Sequence, residues 1–279
     1  MSAERDRGTG NLIPSVRGEV VSRSSSLVRR GLDLLGLQAP TESAGIMKLQ
    51  ERADAGEAGA QWALGTAYKL GRGVPKDDLQ AVHWYRKAAD QGFARAQRHM
   101  GLAYLHGEGM PQDDVQAVQW FRKAAEQGLA EAQTNLGSAY FNGLGVPQDD
   151  AQAVQWFRKA AQQDDAAAQN NLGVAYSDGL GVPQDDAQAA QWWIKAAEQG
   201  DAAAQSNLGW AHDEGRGVTQ NFVEAHKWMN LAVERSLDDR QKRLAGERDA
   251  IAKKMTSEQL SEARKRAREW TESYGQRKP

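Results

Sequence analysis

The string LGVPQDDAQAVQWFRKAA at residues 144–161 recurs along the chain at a fixed spacing, and that recurrence limits the fold more than any other feature. Residues 72–89 read RGVPKDDLQAVHWYRKAA, 108–125 read EGMPQDDVQAVQWFRKAA and 180–197 read LGVPQDDAQAAQWWIKAA. A looser copy, RGVTQNFVEAHKWMNLAV, fills 216–233. The period is 36 residues without insertion or deletion, carried by Gly65, Gly101, Gly137, Gly173 and Gly209 and in parallel by Trp84, Trp120, Trp156, Trp192 and Trp228. A unit this short cannot bury its apolar face alone and must stack on its neighbours, which is the logic of a solenoid.

Each unit reads as two helices. The second starts at Asp77, Asp113, Asp149, Asp185 or Asn221, with Gln80, Gln116, Gln152, Gln188 or Glu224 three residues on, the spacing of a capping box. Ala153, Trp156, Phe157, Ala160 and Ala161 then form one stripe at the helical period. Gly92, Gly128 and Gly200 stop this helix, while Asp164 and Ser236 stand at the same place in the other two copies. The first helix spans about Ala130 to Asn142 in the third copy and closes at Gly143, with Leu136, Gly137, Ala139 and Tyr140 facing the core. A helical glycine costs about 1 kcal/mol relative to alanine. Its return at Gly65, Gly101, Gly137, Gly173 and Gly209 therefore implies that a side chain there collides with the adjacent helix.

The shared residues Leu136-Gly137, Tyr140, Gly143-x-Gly145-Val146, Asp149, Ala153, Trp156 and Lys159-Ala160-Ala161 resemble the Sel1-like repeat family of bacterial type, kin of the tetratricopeptide repeats, over residues 57 to 236. The resemblance implies an all-α fold, a right-handed superhelical solenoid of five helix-turn-helix repeats at 57–92, 93–128, 129–164, 165–200 and 201–236, with capping helices at both ends. The fifth copy departs most, with His212 for the tyrosine, Thr219 for the proline and Leu231 for the lysine.

Outside the array at 57–237, residues 44–56 read as an N-terminal capping helix with Lys48 in the tryptophan slot. Residues 1–43 read as a partly ordered tail holding a short amphipathic helix at 24–36. Beyond residue 237 the period vanishes, and 238–279 read as two capping helices, the second opened by Thr256 with Gln259 in box spacing. The first residues lack the apolar core of a signal peptide, which sets a cytoplasmic expectation.

Composition removes several classes of function. There is no cysteine, hence no disulfide framework, thiolate metal site or thiol nucleophile, and the formal charge of −2 argues against a coat for nucleic acid or an anionic membrane. The segment 238–279 carries twelve Lys/Arg against eight Asp/Glu, interleaved, which fits a solvated face better than a nucleic-acid patch. His83, His99, His106, His212 and His226 form no metal-binding motif, and the Gly-x-Gly turns lack the third glycine of a dinucleotide site. No cofactor, metal or catalytic residue is expected, and an enzyme finds no support.

The copies also compare with one another. In the first helix Trp62, Thr66, Lys69; Arg98, Leu102, Leu105; Thr134, Ser138, Phe141; Asn170, Val174, Ser177; and Ser206, Trp210, Asp213 vary freely and share one arc opposite the constant face. By family resemblance that arc lines a concave surface. The expectation is a non-catalytic adaptor binding an unknown protein or peptide through Trp62, Lys69, Arg98, Leu102, Leu105, Phe141, Asn170, Val174, Trp210 and Asp213. His99, Asn135, Asn171 and Asn207, at the edge of the arc, are expected to bond a bound backbone. The alternatives are an accessory contacting a membrane surface or nucleic acid through the basic C-terminal helices, and a cryptic hydrolase, which no residue supports. The tryptophan ladder is assigned to the core, so Trp156→Ala is expected to lower the melting temperature more than Phe141→Ala.

Overall fold

The computed structural model describes residues 42–277, and the amphipathic segment expected at 24–36 lies outside them. All regular structure among the described residues is helical, thirteen helices that make a helical solenoid of five repeats with flanking helices. The chain forms two compact units that meet in sequence at Trp156 and Phe157. The first holds α1 (Glu42–Asp54), α2 (Ala58–Leu70), α3 (Asp78–Asp90), α4 (Ala94–His106), α5 (Asp114–Glu126) and α6 (Ala130–Asn142). The boundary falls within α7 (Asp150–Ala161). The second unit holds α8 (Ala166–Asp178), α9 (Asp186–Glu198), α10 (Ala202–Glu214), α11 (Phe222–Glu234), α12 (Asp238–Ala252) and α13 (Ser257–Arg277). Within each unit sequence neighbours pack as antiparallel hairpins: α1 to α6 in succession, then α8 to α12, with α13 returning onto α11.

The caps close the hairpins in a way the box spacing only half anticipates. Asp77, Asp113, Asp149 and Asp185 each accept the backbone N–H of the glutamine three residues on, at 2.9–3.0 Å. The reciprocal bond from glutamine to cap is replaced by a tertiary one. The cap N–H groups of Asp77, Asp113, Asp149 and Asp185 donate to the carbonyls of Tyr68, Tyr104, Tyr140 and Tyr176 near the end of the preceding helix. Each cap thus joins the two helices of its repeat. A reciprocal box forms at Thr256, whose N–H donates to Gln259 Oε1 at 2.9 Å while its hydroxyl accepts from Gln259 N.

The two glycines of each Gly-x-Gly turn have different duties. Gly143 ends α6 in the left-handed region at φ 65°. Gly145, at φ 67°, lies so near the backbone of the previous repeat that an added methyl would meet the carbonyl of Asp114, and Gly109 and Gly217 sit likewise on Asp78 and Asp186. At the end of the second helix Asp164 takes the left-handed conformation that glycine takes elsewhere, at φ 60°. Ser236 does not; its hydroxyl donates to the Ala232 carbonyl instead.

Adjacent repeats are held by a buried glutamine. Gln61, Gln97, Gln133, Gln169 and Gln205 donate Nε2–H to the carbonyls of Ala53, Ala89, Ala125, Ala161 and Ala197 at the end of the preceding helix. Gln61, Gln97 and Gln169 also accept from Gln91, Gln127 and Gln199 of the next helix. The same bond recurs in α12, where Gln241 reaches Val233 O and Leu244 is buried at the place of Leu208. The period therefore does not vanish at 237. It continues through one more helix whose other residues have diverged.

The tryptophans are not equally buried. Trp84, Trp120 and Trp228 lie in the core, whereas Trp156 and Trp192 are half-buried, and Trp193 beside Trp192 is buried instead. Lys87, Lys123 and Lys195 lay their ammonium groups 4.1–4.4 Å from the rings of Trp84, Trp120 and Trp192, which accounts for the recurring lysine. In the fifth copy, where Leu231 replaces it, Lys227 supplies the cation instead, 4.1 Å from Trp228.

Candidate functional site

The varying arc of the first helices is less open than the comparison of copies implied. Trp62, Thr66, Leu102, Thr134, Ser138, Asn170, Ser177 and Ser206 are all buried. Lys69, Arg98, Leu105, Phe141, Val174 and Asp213 are half-buried, and Trp210 is 40% exposed. The premise that packing leaves this flank free is thereby corrected. Neighbouring first helices approach along the arc, and side chains spaced by 37 residues meet there.

In the first unit, Trp62 Nε1 stands 3.3 Å from His99 Nδ1 and Arg98 Nε donates to Asn135 Oδ1 at 3.0 Å. In the second, Asn207 Nδ2 donates to Asn170 Oδ1 at 3.0 Å and Trp210 Nε1 to Glu247 Oε2 at 3.3 Å. His99, Asn135 and Asn207 thus bond the preceding repeat. Asn171 Nδ2 is buried without a hydrogen-bond partner. The variation among copies follows the joints: indole with imidazole, guanidinium with amide, amide with amide. A sequence search at a spacing of 37, one beyond the period, would have paired them.

Around the first joint, Trp62 packs on Phe93 with centroids 5.9 Å apart, and Tyr85 lies 4.7 Å from His99. Burial, with Arg98 beside it, pushes the His99 imidazole down to about 4 and keeps it neutral at pH 7. Nδ1 also lies 2.8 Å from the Arg95 carbonyl, so the neutral ring serves either that acceptor or the Trp62 donor at one time. Lys69 is held between Asp78 at 3.0 Å and Glu108 at 2.7 Å.

In the second unit Asp213 takes Lys254, in the turn after α12, at 2.7 Å, and that ammonium lies 5.5 Å from the Phe222 ring. Glu247, Lys254 and Phe222 border Trp210 and Asp213 without any signal in the repeat itself. On the far side of α11, Trp270 meets Trp228 at 6.0 Å and stacks on Tyr274 at 4.6 Å, with the Arg235 guanidinium 4.7 Å from Trp270. These contacts explain the divergence of the fifth copy, whose second helix faces α12 and α13.

Two features bear on chemistry. A pocket of about 20 Å³ between α4, α5 and α6, lined by Leu105, Val118, Phe121 and Ser138 among others, has room for about one water and none for an organic substrate. Among the described residues no group of three or more His, Asp or Glu side chains is placed to hold a metal ion.

The Sel1 repeat model matches five consecutive segments, 58–93, 94–129, 130–165, 166–201 and 202–237, more than half of the chain. The chain belongs to the Sel1 repeat family. Among solved structures, a protective antigen of uropathogenic Escherichia coli with an SLR fold is 43% identical over 68% of this chain and 40% of its own, with a TM-score of 0.63. A Sel1 repeat protein from Oxalobacter formigenes is 34% identical over 73% and 58%, with a TM-score of 0.64. This chain thus spans about half the length of these two relatives. An immunity protein of Pseudomonas aeruginosa shares the fold alone, at 20% identity over 76% and 82% with a TM-score of 0.50. No curated protein matches in sequence. Sel1 repeat proteins are generally protein–protein interaction scaffolds, and the fold is typically non-enzymatic.

Proposed function

We propose that this Sel1 repeat chain is a non-catalytic adaptor that holds a peptide or protein segment against the variable faces of its first helices. Leu105, Phe141 and Val174 are apolar side chains of that arc still partly open to solvent, and Trp210, although its Nε1 is joined to Glu247, keeps its ring partly exposed. Trp210 carries the reading: a 40% exposed indole is costly to leave in water and is the kind of side chain that anchors interfaces. Lys69, Arg98, Asn170 and Asp213 flank these anchors, while Trp62 and Leu102 support the face from beneath.

Nothing comparable favours the basic C-terminal helices. Lys242, Arg248, Lys254, Lys265 and Arg266 each stand in an ion pair, which lowers what they offer to phosphates. No helix among the described residues is long and apolar enough to cross a membrane.

The test is to select binders from a displayed peptide library on the immobilised protein and titrate an enriched peptide against wild type and a Phe141→Ala/Trp210→Ala variant. The reading predicts at least about tenfold weaker binding by a variant that still melts in a single cooperative transition. Undiminished affinity in the variant would refute it.

A further inference from the structure

The first residue of each second helix is an aspartate in four of the repeats, and the copies differ in what stands beside it. In the first repeat Lys69, at the end of α2, bridges Asp78 and Glu108 at 3.0 and 2.7 Å. In the second unit the matching set is Ser177, Asp186 and Arg216, and the Arg216 guanidinium clasps Asp186 through Nη2 at 2.8 Å and Nε at 3.3 Å. One period after Lys69, Asp78 and Glu108 stand Leu105, Asp114 and Leu144, which border the pocket between α4, α5 and α6. Both places that supply a cation elsewhere hold leucine here. The Asp114 carboxylate accepts the Gln112 amide at 3.2 Å, and no cation among the described residues pairs with it.

We propose that this seat receives an arginine or lysine of the partner's segment, its aliphatic stem along Leu105 and Leu144 and its charged head on the Asp114 carboxylate. The inference rests on the adaptor reading and names the chemistry of what is held. Leu105, Asp114 and Leu144 form a half-buried rim, over a buried floor that includes Val118, Phe121 and Ser138. A carboxylate among leucines gives up part of its hydration with no opposite charge in return, and a long basic side chain matches both the apolar rim and the anion. The pocket admits about one water, so the stem lies across its mouth and does not enter it. Val115, next along the chain, adds an apolar side chain that is 52% exposed.

The probes are three labelled peptides of one length, built from Gly, Ser and Leu with Arg, Gln or Glu at every third position, titrated against the full chain at low salt. The Arg peptide is expected to bind at least about fivefold more tightly than the Gln peptide. Two variants should erase that preference while still melting in one cooperative transition. Asp114→Asn removes the charge and keeps the shape. Leu144→Arg supplies the cation from within the chain, as Arg216 does for Asp186, and shuts out the partner's. Asp90→Asn removes an exposed acid of α3 and should leave the preference intact, which separates this seat from the general pull of a chain with net charge −2. Equal binding of the Arg and Gln peptides, or tighter binding of the Glu peptide, would overturn the assignment. Survival of the preference in Asp114→Asn or Leu144→Arg, or its loss in Asp90→Asn, would overturn it too. None of these outcomes touches the adaptor reading, which falls only with the Phe141/Trp210 test.

Discussion

Replacing Gly101 by alanine sets two physical terms of similar size against each other. A methyl at Gly101 would run into the Phe121 ring and lie 3.1 Å from the Ala117 carbonyl oxygen. Phe121 is fully buried, and the pocket beside it, about 20 Å³, is too small to take the ring. With a fully buried ring to displace, the cost falls in the upper part of the overpacking range, about 2–3 kcal/mol, from which the helix propensity of alanine returns about 1 kcal/mol. A net loss of about 1–2 kcal/mol follows. Gly246, inside α12, supplies the control, because an added methyl meets nothing within 4 Å. There the propensity acts alone, and Gly246→Ala should stabilise by about 0.5–1 kcal/mol. At about 2–4 °C per kcal/mol, thermal melts of the two variants should separate by about 3–12 °C on opposite sides of wild type. If both shift in the same direction, the collision argument for the recurring glycine fails.

The two glycines of a turn should differ as well: Gly145→Ala meets the Asp114 backbone in addition to its positive φ, whereas at Gly143 the nearest atom is 3.4 Å away, so urea midpoints should fall further for Gly145→Ala. Gln97→Ala deletes two bonds, from its own amide to the Ala89 carbonyl and from Gln127 Nε2, and should cost about 1–3 kcal/mol by denaturant titration, against little for the exposed Gln112→Ala. His226, 2% exposed with Nδ1 unpartnered, is pushed down to about 4 by burial, with Arg248 and Arg264 adding repulsion and Asp249 partly offsetting it. A folded value below the unfolded 6.5 means stability is full above about pH 6.5 and declines as pH falls towards 4. Between pH 7 and 5 the loss is about 2 kcal/mol, and His226→Leu should remove that share of the slope in melts across the range.

Much of the fold was legible because local chemistry and period agreed. Asp113 with Gln116, Gly143 and the alanine stripe each answer to a rule that acts within one repeat, and five copies repeat the answer. What escaped depends on how one repeat meets another. The Trp62–His99 and Arg98–Asn135 contacts arise from the approach of neighbouring first helices, a distance that no single helix encodes, so joint residues looked like free ones. The cap N–H of Asp113 was assigned to Gln116 because a box is a local motif, yet Tyr104 O lies nearer to hand once the hairpin closes. Gln241 and Leu244 were legible, standing 36 residues after Gln205 and Leu208, but only two matches survive among the charges of α12. Trp156 and Phe141 are both half-buried, so the contrast first expected between them narrows, and a sharper pair lies on the variable face itself.

That pair is Trp62 and Trp210, each with its Nε1 on a residue 37 positions later, the first 6% exposed and the second 40% exposed on the face assigned to a partner. Thermal melting of Trp62→Ala beside Trp210→Ala tests the division between packing and recognition most directly. The account predicts a loss of about 3–5 kcal/mol for Trp62→Ala and under about 1 kcal/mol for Trp210→Ala. Equal losses, or a larger one at Trp210, would contradict it.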